Sequence, residues 1–225
     1  MIGLVIVALL AVILLPQLWV RHTLTRHGND RPDLQGTGGE LARHLLDRFG
    51  LKNVRVEITG LGDHYDPDSR TVRLLRQHHD GRSLSAVAVA AHEVGHAIQH
   101  SRGDRMLELR QRLVKIAMRT DRLAVLFFIA APVLAALARH PAVLIAVGAV
   151  GMGLMAVRVV VDAVTLPVEF DASFKKALPI LKNGSYLAPE DMPAIRSVLR
   201  AAALSYLAGA LMSLVNLARW IRVLR

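Results

Sequence analysis

Residues 2–20, IGLVIVALLAVILLPQLWV, contain no charged side chain and a single amide, Gln17. About twenty such residues, wound as a helix, cover the hydrocarbon core of a bilayer. Three more runs, 123–138, 142–157 and 201–218, contain no Asp, Glu, His, Lys or Arg. The chain as a whole is 53% hydrophobic with a mean hydropathy of +0.38, too apolar for an ordinary soluble domain. In lipid the backbone must satisfy its own hydrogen bonds, so such runs become helices. The expected fold is therefore a mainly α integral membrane protein with three to four transmembrane or membrane-embedded helices. Residues 1–20 read as an uncleaved anchor, because no Lys or Arg precedes the run and no small-residue cleavage site closes it. Arg139-His140-Pro141 interrupts the middle pair and predicts a tight transmembrane hairpin over 123–158. Residues 201–225 form a last hydrophobic helix and a basic tail, Arg219, Arg222 and Arg225.

The charges orient these runs. Residues 21–122 carry 18 Lys and Arg, the break at 139–141 carries one, and residues 158–200 carry six. The positive-inside rule then places 21–122 and 158–200 in the cytoplasm. The net charge of +10 suits an anionic lipid surface. Nucleic acid is not an expected partner, since no basic helix with interleaved aromatics and no finger spacing occurs. With no cysteine, disulfides and thiolate metal sites are excluded, so a metal must use His and carboxylate.

The polar part begins with a linker, 21–35, punctuated by Gly28, Asn29 and Pro32. Thr37-Gly-Gly-Glu40 has capping-box spacing, and Leu41, Leu45, Leu46 and Phe49 recur at helical intervals up to Gly50. VRVEIT (54–59) and TVRLL (71–75) read as strands around the turn-rich DHYDPDS (63–69), which together predict a β-hairpin. TVRLL would also suit pairing with an extended substrate. Ser83 or Ser85 would cap a long helix that follows. Residues 36–122 thus form the expected cytoplasmic catalytic part.

That helix contains AAHEVGHAIQH (90–100). His92 and His96 are one turn apart, about 6 Å along the axis, and face the same way, so both can reach one Zn²⁺. Glu93 is rotated by roughly a quarter-turn, beside the metal and not on it, where it can take a proton from a water. Gly95 would let a neighbouring element approach. His100 lies about 12 Å along the axis from His92, too far for a third ligand on a straight helix, and suits the rim of the site or the surface.

A catalytic zinc needs three protein ligands and an open position. Glu108 follows too closely, Glu190 lies in a proline-flanked loop, and Asp162 is the weaker choice. Glu169, in TLPVEFDAS, follows two candidate crossings, so the segment 159–200 returns to the face that holds the histidines. Pro167 suits the first turn of a new helix, from which Glu169 would project with Ser173 one turn later. Read alone, Glu169 also suits a charge at the lipid interface.

DHYDP, AAHEVGHAIQH, TLPVEFDAS and AAALSYLA, in that order, resemble the bacterial YugP-like family of neutral zinc membrane metallopeptidases. More distantly the chain is similar to HtpX-like and CAAX-prenyl endopeptidases, which usually place an Asp where this chain has Ser173. The resemblance implies a zincin-like α+β catalytic part and a membrane-bound, Zn²⁺-dependent endopeptidase acting on protein or peptide substrates, including membrane or misfolded proteins. By that match His92, His96 and Glu169 are ligands and Glu93 is the catalytic acid/base. His64 or Tyr65 could supply a donor to the oxyanion, although a plain turn would use the same residues. Ser173 and Asp171 are candidate supports for the ligands. The alternative is a non-catalytic membrane scaffold with a structural zinc. A metal transporter fits poorly, since runs 123–138, 142–157 and 201–218 hold no Asp, Glu, His, Lys or Arg.

Overall fold

A computed structural model describes residues 2–223, with side chains described except at 2–10, 12–13, 141, 155, 158–159, 162, 206, 210 and 212–223. The chain is mainly helical with one small sheet. In order it forms α1 (Ile2–Arg26), α2 (Gly38–Arg48), β1 (Arg55–Thr59), β2 (His64–Asp66), β3 (Thr71–Leu75), α3 (Arg76–His79), α4 (Leu84–Ser101), α5 (Arg105–Ala138) and α6 (Pro141–Phe170). A π-helical segment (Asp171–Ala177), α7 (Leu178–Asn183), a 3-10 turn (Pro189–Asp191) and α8 (Met192–Val223) complete it.

Two compact units result. One comprises Leu18–Glu108 and Leu166–Ser205; the other comprises Leu109–Thr165 with the two chain ends. In the second unit α5 and α6 form a hairpin. Its turn is two residues long, with Arg139 at φ 51°. Gly151 admits the Phe128 ring, since a Cβ there would stand 2.9 Å from it. Among the described residues, Arg105–Ala138 is the one helix long and apolar enough to cross a membrane, and Ala142–Leu154 is a shorter apolar stretch. Most side chains of the first apolar run, much of 201–218 and the basic tail Arg219, Arg222 and Arg225 lie outside those described.

The first unit is built around α4. Residues 84–99 are buried on every face, which requires neighbours all round. These are α2, α3, the sheet and the π segment. The capping box holds: Thr37 Oγ1 accepts from the Glu40 amide, and Glu40 Oε2 accepts from the Thr37 amide at 2.7 Å. Ser83 caps α4 by accepting from the Ala86 amide, whereas Ser85 Oγ donates to the Leu24 carbonyl. The core joins Leu45 and Leu46 of α2, Val72 and Leu74 of β3, Ile98 of α4, Leu181 of α7, and Ile195 and Leu199 of α8.

The sheet departs from the expected hairpin of 54–59 with 71–75. Its order is β1-β3-β2: β1 runs parallel to β3, and the hairpin is β2 with β3. The connection from Thr59 to Thr71 is long enough to carry the chain back along its own direction, and DHYDPDS supplies a strand, His64–Asp66, as well as a turn. Asp66 organises that turn by accepting from the amides of Asp68 and Ser69, the Ser69 hydroxyl and Arg73. Burial opposes its charge, but these bonds prevail and bring the carboxyl down to about 2. As the central strand, β3 is paired on both sides and has no edge for a substrate.

Pro167 also departs from expectation. It opens no new helix but lies in the last turn of α6, which runs unbroken to Phe170. The irregularity follows it, as the π segment, a feature that proteins concentrate at functional sites.

Candidate metal centre

An α-helix that is buried throughout must find partners for every polar side chain it carries. On α4 these include His92 and His96, each 2% exposed, Glu93 at 6% and Gln99 at 1%. Glu169, at the end of α6, is fully buried against the same helix. Its Oε2 lies 3.2 Å from His92 Nε2 and 3.2 Å from His96 Nε2. One donor atom from each of the three residues lies within 4.8 Å of the other two. The two imidazole rings stand edge to face, 4.7 Å between centroids.

The remaining ring nitrogens reveal the protonation pattern. His92 Nδ1 is 2.9 Å from Ser173 Oγ, and Ser173 Oγ donates its only proton to the Leu199 carbonyl at 3.0 Å. The serine can then only accept from His92, so the imidazole proton sits on Nδ1. His96 Nδ1 is 2.9 Å from Gln99 Oε1. The Gln99 amide nitrogen donates to the Val168 carbonyl at 3.1 Å and to Asp171 Oδ2 at 2.8 Å, which fixes its carbonyl oxygen as the group facing His96. With the proton on Nδ1, the ligating form of each ring aims an Nε2 lone pair toward the Glu169 carboxylate. Three acceptors converging in a dry site repel one another, and a cation among them turns that repulsion into attraction. Two imidazoles and a carboxylate are the donor set that zinc takes in hydrolytic sites.

The supports reach α4 because its close approach to the π segment is left open by Gly95. A Cβ at Gly95 would stand 2.8 Å from the Ala172 carbonyl oxygen. Ala172 lies between Asp171 and Ser173, the two residues that hold Gln99 and His92. Asp171 is in turn clamped by Lys176 Nζ at 2.7 Å. Burial works against its charge, but the hydrogen bonds from Lys176 and Gln99 prevail and hold its carboxyl below the usual range.

Thus the structure brings together His92, His96, Glu169, Ser173 and Asp171. Glu93 occupies the same buried helix. Tyr65 hydrogen-bonds not to the cluster but to His100 Nδ1, at 2.8 Å. His64 Nδ1 lies 2.8 Å from the Gly62 carbonyl in its own loop. Gln99 was not singled out in the sequence; its one signal is an amide three residues after His96 in an otherwise apolar turn. Gln99→Ala is expected to weaken zinc binding about 10–100-fold, measured by competition with a chromophoric chelator, because His96 loses the acceptor that fixes its tautomer.

A family model described as "Putative neutral zinc metallopeptidase" matches residues 2–225. The chain is 39% identical over 191 residues to the "Putative membrane protease YugP" of Bacillus subtilis, across 83% of this chain and 80% of that protein. No solved structure matches it. The cofactor is zinc, the metal in the family's description and the one that the buried His92, His96 and Glu169 donors fit. With the match running over nearly its whole length, the chain belongs to this zinc metallopeptidase family.

Proposed function

We propose that the protein is a membrane-bound zinc endopeptidase in which His92, His96 and Glu169 hold the ion and Glu93 is the general base and acid. The observation that carries this reading is the convergence of two outward-protonated imidazoles and one carboxylate in a buried site. When bound, zinc supplies a Lewis acid that acidifies a water and polarises the scissile carbonyl. Glu93, next to a ligand on the buried helix α4, takes the water's proton as the new C–O bond forms. It delivers that proton to the amine as the C–N bond breaks. Ser173 and Gln99 keep both rings in the ligating tautomer throughout. Asp171 and Lys176 hold Gln99, and Gly95 sets the distance between the two elements.

The membrane reading rests on the apolar runs, on the α5–α6 hairpin and on the name of the Bacillus relative. In it residues 1–20 anchor the chain, 123–158 cross and return, and 201–218 are embedded. The catalytic part faces the cytoplasm and acts on protein or peptide substrates, membrane or misfolded proteins included. A structural zinc would not need Glu93 and would be closed by a fourth protein ligand; among the described residues the donor cluster has three members.

The test uses the purified full chain in detergent with labelled casein. Cleavage is expected to stop with a chelator and to return with stoichiometric Zn²⁺. Casein cleavage that survives complete zinc removal would overturn the reading.

A further inference from the structure

His100 is the one α4 histidine that the cluster does not use. Taking His92 as zero and about 100° per residue, His96 lies at about 40°, His100 at about 80° and Glu93 at about 100° around the helix, with Gln99 at about −20°. Gln99 thus supports the cluster from one flank, while Glu93 and His100 share the other. Along the axis they are about 10 Å apart, with His96 between them, about 4.5 Å from Glu93 and about 6 Å from His100.

The partner of His100 fixes its proton. Tyr65 is buried, on β2, and its hydroxyl lies 2.8 Å from His100 Nδ1. Burial is the main cause that pushes the phenol up to about 12, so it keeps its proton at neutral pH. His100 Nδ1 is the hydroxyl's one partner among the described residues; donating there satisfies the buried phenol, and the imidazole proton then sits on Nε2. The ring is half-buried, and among the described residues Nε2 makes no hydrogen bond. Where the rings of His92 and His96 are set with lone pairs inward, His100 is set the opposite way, as a donor.

We propose that His100 is a further catalytic residue, whose Nε2–H, oriented by Tyr65, donates a hydrogen bond to the oxyanion that forms as water adds to the scissile carbonyl. This rests on the endopeptidase reading and completes it. Glu93 moves the proton on one side of the reacting carbon, and His100 stabilises the oxygen's charge on the other without transferring a proton. A preoriented donor of this kind contributes about 10²–10³ in kcat.

The experiment compares wild type, His100→Ala, His100→Gln and Tyr65→Phe as zinc-loaded full chains in detergent. It measures kcat and KM on labelled casein, bound zinc per chain, and thermal midpoint. His100→Ala is expected to lose about 10²–10³ in kcat with KM, zinc content and midpoint near wild type. His100→Gln, which retains an N–H donor, is expected to recover part of the loss. Tyr65→Phe, which frees the tautomer, is expected to lose less than His100→Ala and serves if that variant does not fold. A His100→Ala or Tyr65→Phe loss that tracks zinc loss or a lowered midpoint, or a His100→Ala kcat within about threefold of wild type, would overturn the assignment while leaving the endopeptidase reading standing. A wild type without zinc-dependent cleavage would overturn both.

Discussion

Glu93→Gln is expected to bind one zinc per chain and to lose about 10²–10⁴ in kcat on casein. The substitution keeps the side chain's size and removes its basicity. Glu93 is 6% exposed, so the amide is tolerated there only if its surroundings can serve a neutral group as well as a charged one. It is not one of the three clustered donors, so metal affinity should barely change. An unchanged rate in the zinc-loaded variant would remove the general base from the mechanism. Metal analysis and steady-state kinetics on the same sample separate loss of zinc from loss of chemistry.

Gly95→Ala carries the second large effect. In an exposed helix this change would stabilise by about 1 kcal/mol. Here the new methyl meets the Ala172 carbonyl oxygen at 2.8 Å, and that atom is backbone, not the end of a flexible side chain. Either α4 or the π segment must move. We expect a net destabilisation of about 1–3 kcal/mol, read as a lowered midpoint in chemical denaturation. Zinc binding should weaken in the same variant, because Asp171 and Ser173 flank Ala172 and their shift releases both ligand rings. A Gly95→Ala protein as stable as wild type would mean that the two elements are not held at this distance.

Much of the site was legible because its logic is local. His92, Glu93 and His96 sit on one helix, where spacing alone sets their directions. Glu169 is reached from a count of candidate crossings together with the family resemblance; the residues alone leave a charge at the lipid interface open as well. Features that depend on long-range packing were not legible. Pro167 reads as a helix start, yet α6 passes through it, and the backbone becomes irregular only after Phe170. A regular helix would turn Asp171 away from Ser173; the π segment brings both to α4, and no residue pattern announces it. TVRLL alternates as any strand does, and alternation does not say whether its neighbour is parallel. Gln99 has no distinguishing pattern in the sequence, because its role depends on α4 being buried on all sides. The Ser173 position shows how context sets a role. A serine, in place of an acid, can orient His92 because the Leu199 carbonyl takes its proton.

The central claim is that His92, His96 and Glu169 ligate one zinc through Nε2, Nε2 and a carboxylate oxygen. X-ray absorption at the zinc edge of the loaded full chain, beside Glu169→Ala, tests it most directly. We expect a four-coordinate shell of nitrogen and oxygen at about 2.0–2.1 Å with the multiple scattering of two imidazoles, and a loss of stoichiometric zinc in Glu169→Ala. An undiminished zinc content and an unchanged shell in Glu169→Ala would contradict it.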